Sequence, residues 1–539
     1  MHLLRTSKAA LFMIMLMTVA VQTAHGQGDP HKVKHVIVIM QENHSFDNYF
    51  GALAYAPGSP YHTPRRDDGD GGCRANDHTC VDGLTCSMDA GKFTCENANR
   101  DDGGSIVFAF HDSNRCVVPD LDHSWAGTHQ EVNFNRPNDT LFQGPMDGFV
   151  RINDLTEQID KGVENPTEDQ TMGFYNQNEI PFYYDLAQKF ALNDSYFASV
   201  LGPTFPNRSY LMAATSFGHL TTSDTFPPPG SGGYKPITGT IFDLMEKEQV
   251  TWADYFQDAP QGGSFRPFPT PADPHFLPLP VFLGQLAGAP TLPPLPQVAF
   301  VDPNFGILGI QSENDEHPPT DIQRGQAYVS QVVNAVRNSP FWKDTVILLT
   351  YDEHGGFYDH VKPPRAKQNH APNPDGINPG QCADLSNPPQ SLGPGKGVEC
   401  SSNLLSLTDT TVADAAALCP EFAKNPTGPF PAGCANFDQY GVRVPFIAIS
   451  PFSKPHYVSH TIGDHTSILA LIETVFMTPA NDPGTRDDDD DENDVERPHL
   501  TRRDQHASAL LDMFDFTHAP SLDTKIGVAL PPASDCTPK

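Results

Sequence analysis

Hydrophobic residues along this chain gather in short unbroken runs rather than in long alternating stretches. Val36–Met40, Thr345–Thr350 and Val444–Ser450 are three such runs. Their length and lack of alternation predict strands buried on both faces, each followed by a functional turn. Between them the period changes. Val329, Val332, Val333 and Val336 follow i, i+3, i+4, i+7 spacing and predict a helix laid on a sheet, ended shortly before Pro340. Ser467–Phe476 predicts a second buried helix, with Ile468, Leu469, Leu471, Ile472 and Phe476. Strands alternating with helices imply an α/β fold with a mostly parallel central sheet flanked by helices.

Two stretches break the pattern. Residues from about Tyr55 to Cys116 are rich in Gly, Asp and Cys, and those from about Pro363 to Cys434 in Pro, Gly, Asn and Cys. Both read as disulfide-tied insertions without a core of their own. Pro227–Pro236 and Phe265–Pro296 read as extended loops, and the acidic run Asp487–Asp494 as a solvated loop lacking the glycine and terminal glutamate of an EF-hand.

Length and charge narrow the classes. The 539 residues suit one large domain with insertions, over 27–539, or two or three smaller domains. A net charge of −32 argues against nucleic acid as a partner and against electrostatic docking on anionic membranes. Arg5 and Lys8, the apolar run Ala9–Val21 and the small residues around Ala24-His25-Gly26 predict a signal peptide over 1–26, hence export to the periplasm or beyond. No later apolar stretch is long enough for a transmembrane segment. Ten cysteines agree with export. Five lie between Cys73 and Cys116 and four between Cys382 and Cys434, so if all pair, at least one bridge leaves the first group; Cys536 is a candidate partner. No Cys-x2-Cys pair suggests structural zinc.

Two of the three predicted strands end in acidic clusters, Glu42-Asn43 and Asp352-Glu353. Ligands of open α/β sheets bind beyond the carboxyl ends of strands. Three carboxylates and an amide at one edge repel unless a cation separates them, and hard oxygen donors suit a divalent metal. Helix capping explains one such cluster, but less readily two. Gly355-Gly356 after the second cluster predicts positive φ or close backbone approach. In "GPTFPNRSY", Thr204 follows a rigid Gly-Pro turn and stands near a helix start, where anions are favoured, with Arg208 close by to pair with phosphate oxygens. Taken alone, this stretch reads more readily as a proline-rich turn with a capping threonine.

Together "HVIVIMQENHSFDNYFG", "DLDHSW", "GPTFPNRSY", "ENDEHPP", "YDEHGGFYDHV" and "GVRVPFIAISPFS" resemble the bacterial phosphoesterase family of phospholipases C and acid phosphatases, within the alkaline-phosphatase-like superfamily. The resemblance implies that fold, one divalent metal ion (calcium, magnesium, manganese, iron or zinc) and a phosphate-ester substrate. It implies Glu42, Asn43, Asp352 and Glu353 as metal ligands, joined by Thr204 as the hydroxyl nucleophile. It implies His123 and His317 beside the phosphate, with Arg208 adding charge. The adjacent histidine pair of the phosphatases has no counterpart around "VTWADYFQD". The threonine in "GPTFPNR" and the "DLDHSW" segment make phospholipase C-type hydrolysis through a phosphothreonine the expected activity. The alternatives are an acid phosphatase acting on monoesters and, in another class, an inactive secreted binding protein.

Overall fold

The computed structural model describes residues 28–65, 72–101, 103–117, 120–133, 145–154, 168–217, 219, 222, 232–236, 238–268, 273–307, 313–366, 439–479, 497–523 and 525–536. The predicted signal peptide over 1–26, nearly all of the second insertion with its four cysteines, the first half of Pro227–Pro236 and the run Asp487–Asp494 lie outside them.

An eight-stranded sheet forms the centre. In chain order its strands are β1 (His35–Gln41), β2 (Ala191–Asn193), β3 (Trp252–Phe256), β4 (Phe276–Pro278), β5 (Val298–Val301), β6 (Thr345–Tyr351), β7 (Phe446–Ile449) and β8 (Tyr457–Ser459). Their order across the sheet is β4-β3-β5-β1-β6-β7-β2-β8. All neighbours run parallel except β7, which is antiparallel to both β6 and β2. The α/β reading with a mostly parallel sheet therefore holds.

Two sequence expectations change. The run that became β7 is a core strand, but it points the other way, because an apolar run buried on both faces looks the same in either direction. Phe446 pairs with Thr350 and Ile449 with Ile347, so the turn after β7 lies at the far edge of the sheet, where the Ser450 hydroxyl donates to the Thr345 carbonyl at 2.8 Å. Arg443, just before β7, is what reaches the functional edge. Phe265–Pro296 is not a plain loop either: it holds edge strand β4 and the helix Leu279–Leu286. Pro280 fits the first turn of that helix, which needs no N–H. Leu279, Phe282 and Leu286 are buried beneath it.

The register of the centre positions the site. Strands β1 and β6 pair in parallel from His35–Thr345 to Gln41–Tyr351 and end level, so Glu42-Asn43 and Asp352-Glu353 emerge side by side. Both strands are buried almost throughout. Helices cover the sheet: α1 (Phe46–Phe50), α2 (Trp125–Val132), α3 (Pro181–Lys189), α4 (Thr204–Ala213), α5 (Ile322–Arg337) and α6 (His465–Met477). On α5, Val329, Val332, Val333 and Val336 are all buried, each side chain contributing about 1.5–3 kcal/mol by leaving water.

The first insertion is stapled by Cys73–Cys80 and Cys86–Cys95, while Cys116 leaves the group for Cys536. The hairpin between Cys86 and Cys95 turns through Ala90 and Gly91, both at positive φ. Its Leu84, Cys95 and Ala109 share a hydrophobic cluster with Val132, Phe149, Phe174 and Val442 of the main body.

Candidate active site

Asn43 leaves β1 with φ 65° and is fully buried. Asparagine tolerates this left-handed conformation better than most residues. Opposite, Gly355 has φ 62°, and a Cβ there would stand 2.2 Å from the Asn43 carbonyl oxygen. A Cβ on Gly356 would stand 2.5 Å from the Leu121 Cβ. The two glycines thus let the strand ends and the "DLDHSW" segment touch backbone to backbone. A Cβ on Gly202 would lie 2.9 Å from the Trp125 ring, which brings the turn before Thr204 against the same segment.

Among the predicted ligands the structure forms two pairs. Glu42 and Asp352 close on Arg208, whose Nη2 lies 3.0 Å from Glu42 Oε1 and whose Nε lies 3.1 Å from Asp352 Oδ2. The same guanidinium donates to the carbonyls of Met40 and Gln41 and to Gln261 Oε1, and stacks over Phe305. Its donors are thus turned to protein groups, and it clamps the two carboxylates. Asn43 and Glu353 instead face His123: Asn43 Nδ2 is 3.4 Å and Glu353 Oε1 4.0 Å from His123 Nε2. Asp352 Oδ1 links the pairs by accepting the backbone N–H groups of Asn43 and Glu353.

Burial, with Glu42 and Glu353 nearby, raises the Asp352 carboxyl to about 7 against the opposing pull of Arg208. Burial also pushes Glu353 up, yet His123, His354 and the Gly355 amide hold it below its ordinary value. For His123 burial disfavours the imidazolium, but Glu353 and Asp120 raise it to about 10. His317 is raised by Asp120 and Glu42 against the same burial penalty. Each of these histidines gives its Nδ1–H to a backbone carbonyl, of Leu121 or Pro318, leaving Nε2 for the site. Their rings meet edge to face with centroids 5.7 Å apart.

Two buried oxygens, Asn43 Oδ1 and Glu353 Oε1, have no hydrogen-bond partner. Unpaired buried acceptors are costly unless a cation or solvent meets them. The oxygens of Glu42, Asn43, Asp352 and Glu353 are hard donors of the kind that suits a divalent cation, with Arg208 holding two of the carboxylates. The groups whose ligand atoms lie within 4.8 Å of one another are Asp120, His123 and His317, and Asp47, Asp359 and His360. In the latter group a cation is already in place: Arg443 lies 3.1 Å from Asp47 and 2.9 Å from Asp359.

Thr204 opens α4, half-buried and preceded by Pro203. Asn207 fixes the turn by donating to the carbonyls of Gly202 and Pro203 and accepting from the Val200 N–H. Thr204 and Arg208 are four residues apart and share one face of the helix.

Gln261 and Asp302 carried no sequence signal, whereas Asp315 and Glu316 lie in the motif "ENDEHPP". Gln261 accepts from Arg208 and donates to Asp302, which follows β5. Asp302 is raised to about 6 by burial and is hydrogen-bonded to Asp254. Asp315, in "ENDEHPP", is raised well above its usual value by burial and by Glu42. Its neighbour Glu316 points away and accepts from the hydroxyls of Tyr49, Tyr183 and Tyr351. His44, His360 and His465 make structural bonds, His465 donating to the Asp352 carbonyl at 2.7 Å.

This chain belongs to the phosphoesterase family, whose model matches residues 33–479, and is thereby a hydrolase acting on phosphoester bonds. Among its relatives, the non-specific phospholipase C6 of Arabidopsis thaliana is 27% identical over 525 residues, covering 95% of this chain and 78% of the relative. Phospholipase C B of Mycobacterium tuberculosis is 26% identical over 539 residues, covering 94% and 83%. Of solved structures, murine ectonucleotide pyrophosphatase / phosphodiesterase 5 overlaps 56% of this chain and 91% of its own, at 9% identity and a TM-score of 0.27, too loosely to bear on the argument.

Proposed function

We propose that this chain is an exported, metal-dependent phospholipase C-type enzyme that cleaves phosphatidylcholine-like lipids through a covalent intermediate on Thr204. The observation that carries the reading is the buried oxygen cluster of Glu42, Asn43, Asp352 and Glu353 at level strand ends, with two of its oxygens unpartnered. The names of the relatives favour a phospholipid over a monoester, and the disulfides suit an oxidising compartment.

Glu42, Asn43, Asp352 and Glu353 would hold the divalent ion. When bound, it would supply Lewis-acid charge for a phosphoryl oxygen and for the nucleophile. Thr204 attacks phosphorus, its hydroxyl proton passing to solvent, and the Oγ–P bond forms as the bond to the diacylglycerol oxygen breaks. His123 or His317, each with Nε2 toward the site, gives a proton to that leaving oxygen. Water then attacks phosphorus and gives a proton back to that histidine, the Thr204 Oγ–P bond breaks with Oγ taking up a proton from solvent, and the phosphorylated head group departs. The helix start beneath Thr204 favours the phosphoryl charge throughout. Parallel assays on phosphatidylcholine and on a small phosphomonoester test the substrate class. Diacylglycerol plus phosphocholine from the lipid is the expected outcome, and inorganic phosphate from the monoester alone would make the chain an acid phosphatase.

A further inference from the structure

We propose that His354 and Glu131 form a positioning pair that fixes the rotamer of Glu353 and leaves one Glu353 oxygen for the metal. The inference rests on the metal-site reading above and extends it to two residues that touch neither metal nor substrate. Glu353 Oε2 is doubly held, by the Gly355 N–H at 2.8 Å and by His354 Nδ1 at 3.2 Å. Glu353 Oε1 is left without a hydrogen-bond partner, 4.0 Å from His123 Nε2. The His354 ring is held in turn from behind, its Nε2 lying 2.8 Å from Glu131 Oε2.

Glu131 is fully buried on α2, and its Oε2 stands 2.8 Å from His354 Nε2. An apolar side chain there would avoid the desolvation penalty of a buried ion pair. The acid makes sense if it orients the ring. The chain of contacts continues: Asn153 Nδ2 donates to Glu131 Oε1 at 3.4 Å, and Asn153 Oδ1 accepts the Asp122 N–H at 2.7 Å. Asp122 precedes His123, so one buried network ties the ligand Glu353 to the segment that carries the proton donor. Outer partners of this kind set ligand orientation and affinity.

The test uses the mature chain freed of metal and titrated with Mn²⁺ alone, binding being read from loss of the free-ion paramagnetic signal. Glu131→Gln keeps the shape but removes the charge behind the ring. It is expected to raise the Mn²⁺ dissociation constant by about 10–100-fold. His354→Asn sets its amide nitrogen where Nδ1 stands and keeps the donor, so it should bind Mn²⁺ nearly as wild type does, whereas His354→Ala should match Glu131→Gln. Melting of the metal-free proteins separates this from a structural role. A lowered melting temperature with unchanged Mn²⁺ affinity in Glu131→Gln and His354→Ala overturns the inference. If Glu131→Gln does not fold, equal affinities of His354→Asn and His354→Ala overturn it. Wild-type protein that takes up no Mn²⁺ overturns the metal reading and this inference together, while wild-type binding that survives the substitutions overturns the inference alone.

Discussion

At the scale of single residues, the site is a balance of buried charge. Arg208 neutralises Glu42 and Asp352 while Glu353 leans on His123. Removing one partner of a buried pair leaves an uncompensated charge and destabilises by about 3–5 kcal/mol. Arg208→Ala should therefore lower the unfolding free energy of the metal-free protein by about that much, read by denaturant titration. A loss below about 1 kcal/mol would show that the guanidinium is no clamp. The ligand candidates were legible in the sequence because each follows directly on an apolar strand, a purely local signal. Gln261, Asp302 and Glu131 were not, since their partners lie far along the chain and each sits in an unremarkable stretch.

The same scale holds a pH prediction. His360 is raised to about 10, because Asp47 and Asp82 outweigh burial and the opposing charge of Arg443. A histidine raised in the folded state adds stability that is complete below its unfolded pKa near 6.5 and fades as pH climbs toward 10. The stability gap between wild type and His360→Asn should thus shrink between pH 7 and 9.5, by up to about 1.4 kcal/mol per pH unit. Denaturant titrations across that range check it, and a gap independent of pH would contradict it.

At the scale of elements, the level ends of β1 and β6 are what make four ligand candidates meet, and Gly355 is what lets the two turns close. Gly355→Ala must fit a Cβ 2.2 Å from the Asn43 carbonyl at φ 62°, so the turn has to move. We expect it to weaken Mn²⁺ binding and lower the melting temperature, whereas Gly288→Ala, also at positive φ but with open space around it, should leave metal binding unchanged. Equal metal affinity in both variants would show that the close approach does not shape the site. The sequence disclosed this approach through its paired glycines. It did not disclose the direction of β7, because hydrophobicity carries no arrow. It hid the helix Leu279–Leu286 behind prolines that read as loop, although a proline in a first turn is compatible with helix.

At the scale of the whole molecule, the Cys116–Cys536 bridge joins residues 420 apart and ties the C-terminal tail beside the "DLDHSW" segment. The tail is seated by more than sulfur: Ser534 donates to Asp321, and Arg324 pairs with Asp535. Cys536→Ser should cost about 2–5 kcal/mol of stability, measured under oxidising conditions, and reduction of the wild type, which also opens Cys73–Cys80 and Cys86–Cys95, should cost at least as much. A bridge leaving the first cysteine group was foreseeable from its odd number; its neighbourhood was not, since it depends on the packing of the tail against α5. Among the described residues no helix is long and apolar enough to cross a membrane.

The central claim is that Thr204, which opens α4 one turn before Arg208, is the nucleophile of phosphoester cleavage. The direct test is the turnover of metal-loaded Thr204→Ala on phosphatidylcholine, with circular dichroism showing the fold intact. The account predicts a fall in kcat/KM of about three orders of magnitude or more. A folded variant that keeps activity within about tenfold of wild type would contradict it.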